Sequence, residues 1–200
     1  MIPFFYPPQP MRIWPESDFF RQLDRNPNWD AEIKYNGWRL MIFIDNDIRM
    51  FNRHSTEIDI NKNIFRQHFD DVPRGTVLDA ELVHFRTTDV KNVIIIWDAP
   101  FYNGVDLRKT PLIERRKYLE HFSIAPRTIK RGQKVQVYRT QQFKAGKFKE
   151  LYQKTVDKND PLEEGIILKM KNSFYDFNLK RGVESRYWIK IKKIGDHAKV

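Results

Sequence analysis

The stretch NVIIIWDAP, residues 92–100, restricts the fold more than any other part of the chain. It is a near-continuous apolar run, too short for a membrane span and bounded by turn-forming residues. Such a run is expected of a strand covered on both faces. The chain therefore needs packed layers on either side of at least one sheet.

The neighbouring segments say what kind of sheet this is. RLMIFIDNDIRMFNR, residues 39–53, reads as a hairpin: Leu40, Ile42 and Ile44 alternate with Arg39, Met41 and Phe43, and Asp-Asn-Asp supplies the turn. Trp29–Lys34 reads as a strand, and so do GTVLDAELVHF after Gly75, KVQVYRTQQF, EEGIILKMK and RYWIKIKK. TPLIERRKYLEHF reads as a helix, with Thr110 as its cap, Pro111 at its first position, and Leu112, Leu119 and Phe122 at helical spacing. KFKELYQKTV reads as a basic amphipathic helix. Strands and helices do not alternate regularly, so the predicted class is α+β, with antiparallel β-sheets flanked by helices, in one domain over residues 1–200.

Charge narrows the partners. The net charge is +10, from 36 Lys and Arg against 26 Asp and Glu, which suits a polyanion such as nucleic acid. There are no cysteines, which excludes a disulfide framework, a thiolate zinc site and a Cys nucleophile. The five histidines are scattered, without an H-x-x-x-H pair. MIPFFYPPQP at the start is apolar but broken by prolines, too short for a signal peptide or membrane span, so a soluble, cytoplasmic or otherwise intracellular protein is expected.

Four short stretches carry candidate chemistry. EIKYNG places Lys34 between a strand and an Asn-Gly turn; taken alone, it reads first as a solvated lysine. In WIKIK, Ile189 and Ile191 share one strand face while Trp188, Lys190 and Lys192 share the other. Two ammonium groups side by side suit a bound anion or a wet face. VLDAELV places Asp79 and Glu81 on one face of an apolar strand, where a carboxylate needs a ligand or an arginine partner. EEGIILK places Glu164 and Gly165 ahead of an apolar strand, where the glycine permits a tight turn or a close approach. Neither G-x-x-x-x-G-K-[ST] nor G-x-G-x-x-G is present, so any nucleotide must be held by another device.

Together these stretches resemble the covalent nucleotidyltransferase superfamily: ATP-dependent DNA ligases, with RNA ligases and mRNA capping enzymes as relatives. KYNG resembles the K-x-D-G nucleophile motif. NRHSTE falls where the second signature arginine stands, and VLDAELV resembles L-D-G-E-L. IIIWDAPFYNGVDLRKTPLIERRKYLE is similar to the ligase stretch that runs strand, N-G turn, D-L-R, P-L-x-E-R-R. EEGIILK and YWIKIKK match the fourth and fifth motifs, and QPMRIW resembles the opening ahead of the ligase lysine. The resemblance runs from about residue 9 to residue 193.

The resemblance implies a fold, a reaction and a set of roles. The fold would be a nucleotidyltransferase, ATP-grasp-like ligase adenylation domain. Lys34 would attack the α-phosphate of ATP, release pyrophosphate and hold AMP as a phosphoramidate. Lys190 and Lys192 would bind the α-phosphate and stabilise its developing charge. Glu164 would hold Mg²⁺ or Mn²⁺. Glu32 would read the adenine amino group, Trp97 would stack on the base, Glu81 would hold the ribose hydroxyls and Arg53 would contact the sugar. Arg39 would bind the sugar side of AMP or the 5′-phosphate of a nick. The expected partner is nicked duplex DNA or RNA, bound by a monomer with no membrane. A basic face including Lys169, Lys171 and Lys193 would contribute to that binding.

Three departures touch geometry: Asn36 replaces the usual aspartate, Ala80 replaces a glycine, and NRHST lacks the glycine common after its arginine. A fourth is larger. Relatives continue into an OB-fold domain, whereas eight residues follow Lys192 here. The D-L-R and P-L-x-E-R-R elements favour a DNA ligase. The alternatives are an RNA ligase, a capping guanylyltransferase using GTP, and a non-catalytic nucleic-acid-binding module.

Overall fold

The computed structural model describes residues 1–58, 60–84, 89–132, 134–177 and 182–193. Along the chain run β1 (Gln9–Arg12), α1 (Asp18–Asp24), β2 (Trp29–Tyr35), β3 (Trp38–Ile44), β4 (Ile48–Asn52), β5 (Thr76–Val83), β6 (Val93–Tyr102), β7 (Val105–Asp106), α2 (Leu112–Arg115), β8 (Gln136–Arg139), β9 (Phe143–Lys144), α3 (Phe148–Lys158), β10 (Glu163–Met170) and β11 (Glu184–Lys192). Short 3₁₀ turns cover Lys62–His68 and Arg116–Leu119.

Two sheets result. One has the order β1-β11-β10-β2-β9, and the other β4-β3-β5-β6-β7 with β8 on β6. The hairpin of β3 and β4 forms as its alternation predicts, with Ile42 opposite Met50. Pairing is antiparallel except for β1 on β11 and β8 on β6, which are parallel. The α+β expectation is met, with those two parallel additions.

β6 explains its own composition. Val93 and Ile95 enter a core that also holds Ile33, Ile166, Ile189 and Phe148. Ile94 and Ile96 enter a second core with Leu40, Leu78, Phe65 and Phe122. Both faces are thus covered. Between the sheets lies a third, aromatic cluster of Phe5, Phe43, Trp97, Phe101, Tyr175 and Trp188. The apolar N-terminal residues Phe4 and Phe5 are spent here, against Phe43.

Two predicted elements differ. TPLIERRKYLEHF is one turn of α-helix followed by a 3₁₀ turn, not a continuous helix. Pro111 occupies the N-cap without a side-chain bond, and the Thr110 carbonyl instead accepts from Arg115 Nη1. Leu112, Leu119 and Phe122 are buried as their spacing predicts, but so are Arg115 and Arg116. KVQVYRTQQF is split between β8 and β9, which belong to different sheets. The helix over KFKELYQKTV forms as α3 and buries Phe148, Leu151, Tyr152 and Thr155. No helix among the described residues is long and apolar enough to cross a membrane.

Candidate active site

Ladder register brings the candidate residues together. Gly165 on β10 pairs with Lys34 on β2 and with Lys192 on β11. Farther along β10, Ile167 pairs with Glu32 and Lys190. Directly paired residues project to the same side of a sheet. One face of the first sheet therefore carries Glu32, Lys34, Lys190 and Lys192. The facing strands of the second sheet supply Arg39, Glu81 and Trp97, and Arg53 follows β4. All of these, with Glu164, border one cavity of about 560 Å³ between the sheets.

Glu164 enters this face through a bulge. Glu163 pairs with Tyr35 and Gly165 with Lys34, so Glu164 is the extra residue. The bulge depends on glycine: Gly165 has φ +142°, and a Cβ there would lie 2.0 Å from the Ile191 carbonyl oxygen. The glycine admits a neighbouring strand, not a ligand. Gly37, in the turn after β2, is constrained in the same way, since a Cβ would meet the Leu82 carbonyl oxygen at 2.5 Å.

The electrostatics are dense. Glu164 forms an ion pair with Lys34, and a second with Lys192 at 3.0 Å. Burial raises the Glu164 pKa, but Lys34 and Lys192 outweigh it and hold the carboxyl below the usual range. Lys190 makes no ion pair among the described residues. Burial pushes its pKa down, and Lys192, Lys34 and Arg12 add to that against the pull of Glu184. Three lysines thus share the cavity floor with one carboxylate, a local excess of positive charge.

The adjacent region is charge-paired, although the buried Lys169 Nζ and Trp97 Nε1 find no hydrogen-bond acceptor among the described residues. Glu32, 2% exposed, gives one carboxylate oxygen to Arg116 and the other to Lys169, whose Nζ lies 2.9 Å away. Arg116 also donates to Thr140 Oγ1 at 2.7 Å. Lys169 is 1% exposed and borders the cavity, so it is not part of an exposed basic face. Burial, reinforced by Arg116, lowers its pKa well below the usual lysine value. Lys171, partly exposed, is engaged with Asp30 at 3.4 Å and the Pro27 carbonyl at 2.6 Å. Lys193 donates to the Asp160 carbonyl at 3.2 Å.

Arg39 is clamped. Its Nε donates to Asp79 at 2.6 Å and its Nη1 to the Pro8 carbonyl at 3.0 Å. Tyr175 donates to the same Asp79 at 2.7 Å. The arginine partner suggested for the VLDAELV carboxylates is thus Arg39. The guanidinium also stands 5.0 Å from the Trp97 ring centroid, and Lys169 stands 5.2 Å from it. Arg53 lies at the exposed rim and donates to His54 Nε2 at 3.1 Å.

Sequence reading missed Arg116, Tyr175 and the buried placement of Lys169. Strand alternation could have placed Lys169, which shares a face with Gly165 and Ile167; nothing local signals the other two. Among the described residues, no group of three or more His, Asp or Glu side chains converges as a metal cage. Glu164 alone fits a cation that arrives with substrate phosphates, because Mg²⁺ is commonly held by one or two carboxylates plus phosphate oxygens.

Similar structures share this architecture. A mycobacterial DNA ligase D complexed with ATP superposes with a TM-score of 0.65 at 19% identity, over 94% of this chain and 60% of that one. The ATP-dependent DNA ligase of bacteriophage T7, also in complex with ATP, gives 0.54 at 19%, over 93% and 68%. The Chlorella virus DNA ligase-adenylate gives 0.53 at 18%, over 94% and 69%. This chain thus spans about 60% of the length of the ligase D structure. At these identities the likeness establishes the fold. A search of curated protein sequences found no match. The family model for the mRNA capping enzyme, catalytic domain, matches residues 8–170. With a nucleotidyltransferase fold and most of its length inside that match, the chain belongs to the mRNA capping enzyme catalytic-domain family of the nucleotidyltransferase superfamily.

Proposed function

We propose that residues 1–200 form one adenylation domain of an ATP-dependent polynucleotide ligase, with Lys34 as its nucleophile. The observation that carries this reading is the set Lys34, Glu164, Lys190 and Lys192 on one sheet face at the floor of the cavity. A lysine attacks only as the neutral amine. In the present arrangement Glu164 is the counter-ion of Lys34, while Lys192 and Lys190 oppose its charge.

Lys34 Nζ attacks the α-phosphorus of ATP. A P–N bond forms, the bond to the β-phosphate oxygen breaks, and pyrophosphate leaves as the amine sheds its proton. Lys190 and Lys192 hold the α-phosphate oxygens, whose charge grows in the transition state. A 5′-phosphate oxygen of the acceptor strand then displaces lysine, leaving AMP joined to that phosphate. A 3′-hydroxyl attacks the 5′-phosphate, seals the strand and releases AMP. Glu164 would hold Mg²⁺, which supplies further neutralisation of phosphate charge. Glu81 and Arg53 border the cavity where a sugar would lie, and Trp97 where a base would stack. Glu32 could accept from an adenine amino group only while also serving Arg116 and Lys169, which its remaining lone pairs allow. The acceptor in this reading is a nick in duplex DNA, approached by a monomer.

A second reading is favoured by the family match to the mRNA capping enzyme, catalytic domain: guanylyl transfer from GTP. One experiment separates the two. The protein is incubated with α-labelled ATP or GTP, denatured, and in parallel offered nicked, 5′-phosphorylated duplex DNA. The ligase reading expects label from ATP that stays on the protein and passes to the nick. Labelling by GTP alone moves the assignment to guanylyl transfer. Labelling by neither leaves a nucleic-acid-binding module.

A further inference from the structure

The edge strand β1 and the residues just after it carry two side chains that neither core nor cavity uses. Met11 and Ile13 pack against the first core. By strand alternation Arg12 and Trp14 stand on the opposite side, the side of Lys190 and Lys192. Arg12 is the register partner of Lys190, and the Ile13 amide donates to the Lys190 carbonyl at 3.2 Å. The Arg12 guanidinium carbon lies 4.7 Å from the Trp14 ring centroid. Trp14 is 58% exposed, the most exposed of the large aromatic side chains among the described residues.

This pair is unusual in its charge. Among the described residues neither Arg12 nor Lys190 forms an ion pair, whereas Arg39, Arg115 and Arg116 are each matched to a carboxylate. Glu184 is the acid that acts on Lys190, against Lys34, Lys192 and Arg12. Positive charge is therefore in surplus where the cavity floor meets the open sheet edge. An indole holding a guanidinium beside that surplus offers a flat apolar face and a fork of donors together. A polynucleotide strand presents the matching groups, a base face and a phosphodiester, at neighbouring positions.

We propose that Arg12 and Trp14 form a docking subsite for the acceptor strand, with a phosphate on Arg12 and a base stacked on Trp14. The proposal rests on the nucleotidyl-transfer reading above, in which the acceptor's 5′-phosphate must reach Lys34. Arg12 on the edge strand β1 is the neighbour of Lys190, and Lys190 lines the same cavity as Lys34. The occupant is the 5′-phosphorylated strand at a nick in duplex DNA, the acceptor of the reading above. A 5′-phosphorylated RNA serves as the comparison probe.

The test measures binding of each of those two fluorescent probes from 50 to 200 mM salt, the range in which phosphate contacts are strongly salt-dependent. Variants are Arg12→Gln, Trp14→Ala, and Lys149→Gln on α3 as a distant charge control. Losing one phosphate contact should reduce the slope of log affinity against log salt by about 0.9 for duplex and about 0.7 for a single strand. Trp14→Ala should weaken binding on the order of ten-fold at every salt, with the slope unchanged. Lys149→Gln should leave slope and affinity nearly as in the parent. These effects on nicked DNA support the subsite, and the same effects on the RNA probe alone overturn DNA as its occupant. Unchanged slopes for Arg12→Gln on both probes, or equal losses with Lys149→Gln, overturn the subsite. Lys34 labelling by nucleotide is followed in parallel. Its absence would overturn the catalytic reading, whereas its presence with unaffected strand binding would overturn only the subsite.

Discussion

Replacing Glu32 by Gln should destabilise the fold far more than replacing Arg116 by Met. In the parent, one buried carboxylate serves two buried cations, Arg116 and Lys169. Removing Arg116 leaves Glu32 and Lys169 as a matched pair. Removing the Glu32 charge leaves two cations facing each other without an anion. Breaking a buried pair by deleting one partner costs about 3–5 kcal/mol, because the survivor stays desolvated. For a chain of this length each kcal/mol shifts Tm by about 2–4 °C, so Glu32→Gln should melt roughly 6–20 °C lower. The deficit should depend on pH with a definite sign. Lys169 has a folded pKa well below the ordinary lysine value. Between those two values the unfolded chain binds the extra proton, so stability rises with pH. Without Glu32 the Lys169 ammonium has lost its anion, which widens that window. The Glu32→Gln deficit should therefore shrink as pH rises to the parent's depressed Lys169 pKa and stay level above it. Urea and thermal unfolding of both single variants and the double variant across pH measure all of this. Destabilisation by Glu32→Gln of under about 1 kcal/mol, the scale of exposed pairs, would refute the buried triad. So would a larger cost for Arg116→Met. Any loss of ATP preference in a Glu32 variant has to be read beside its melting temperature, since the same carboxylate holds the fold.

Lys190 should lose its proton at lower pH than an ordinary lysine, because burial and cationic neighbours depress it. Nucleotide affinity measured by calorimetry should thus fall on the alkaline side, and Lys190→Arg should move that fall to higher pH; superimposable profiles would count against a phosphate contact. Gly165→Ala should abolish labelling and destabilise by more than the ~1 kcal/mol of an ordinary glycine substitution, since its Cβ would collide with the Ile191 carbonyl. Normal labelling and melting of that variant would refute the bulge. Trp97→Ala should weaken ATP and GTP alike, by about 1–3 kcal/mol if it stacks on the base; selective loss of one nucleotide would assign it a role in base choice.

Much of this site was legible because strands report their own faces. Period-two spacing separated Lys190 and Lys192 from Ile189 and Ile191, and the cavity lies on the lysine side as that spacing implies. The continuous apolar run of β6 announced its two-sided burial. The charge partners were not legible, since they depend on chain closure and not on local period. Arg116 meets Glu32 across 84 residues, and Tyr175 meets Asp79 across 96. The same cause misled the reading of residues 110–122. Leu112, Leu119 and Phe122 at helical spacing suggested one continuous helix, whereas Arg115 and Arg116 are both drawn inward, to Asp98 and to Glu32. Lys169 looked like a surface cation because lysines usually are, whereas Trp97, Trp188 and Glu32 pack around it in the fold.

The central claim is that Lys34 becomes covalently nucleotidylated, and peptide mapping of protein labelled with α-labelled nucleotide tests it most directly. The expected result is a single modified peptide containing Lys34, joined through an acid-labile, alkali-stable phosphoramidate, and no label in a folded Lys34→Ala variant. Label on another lysine, or undiminished label in Lys34→Ala, would contradict it.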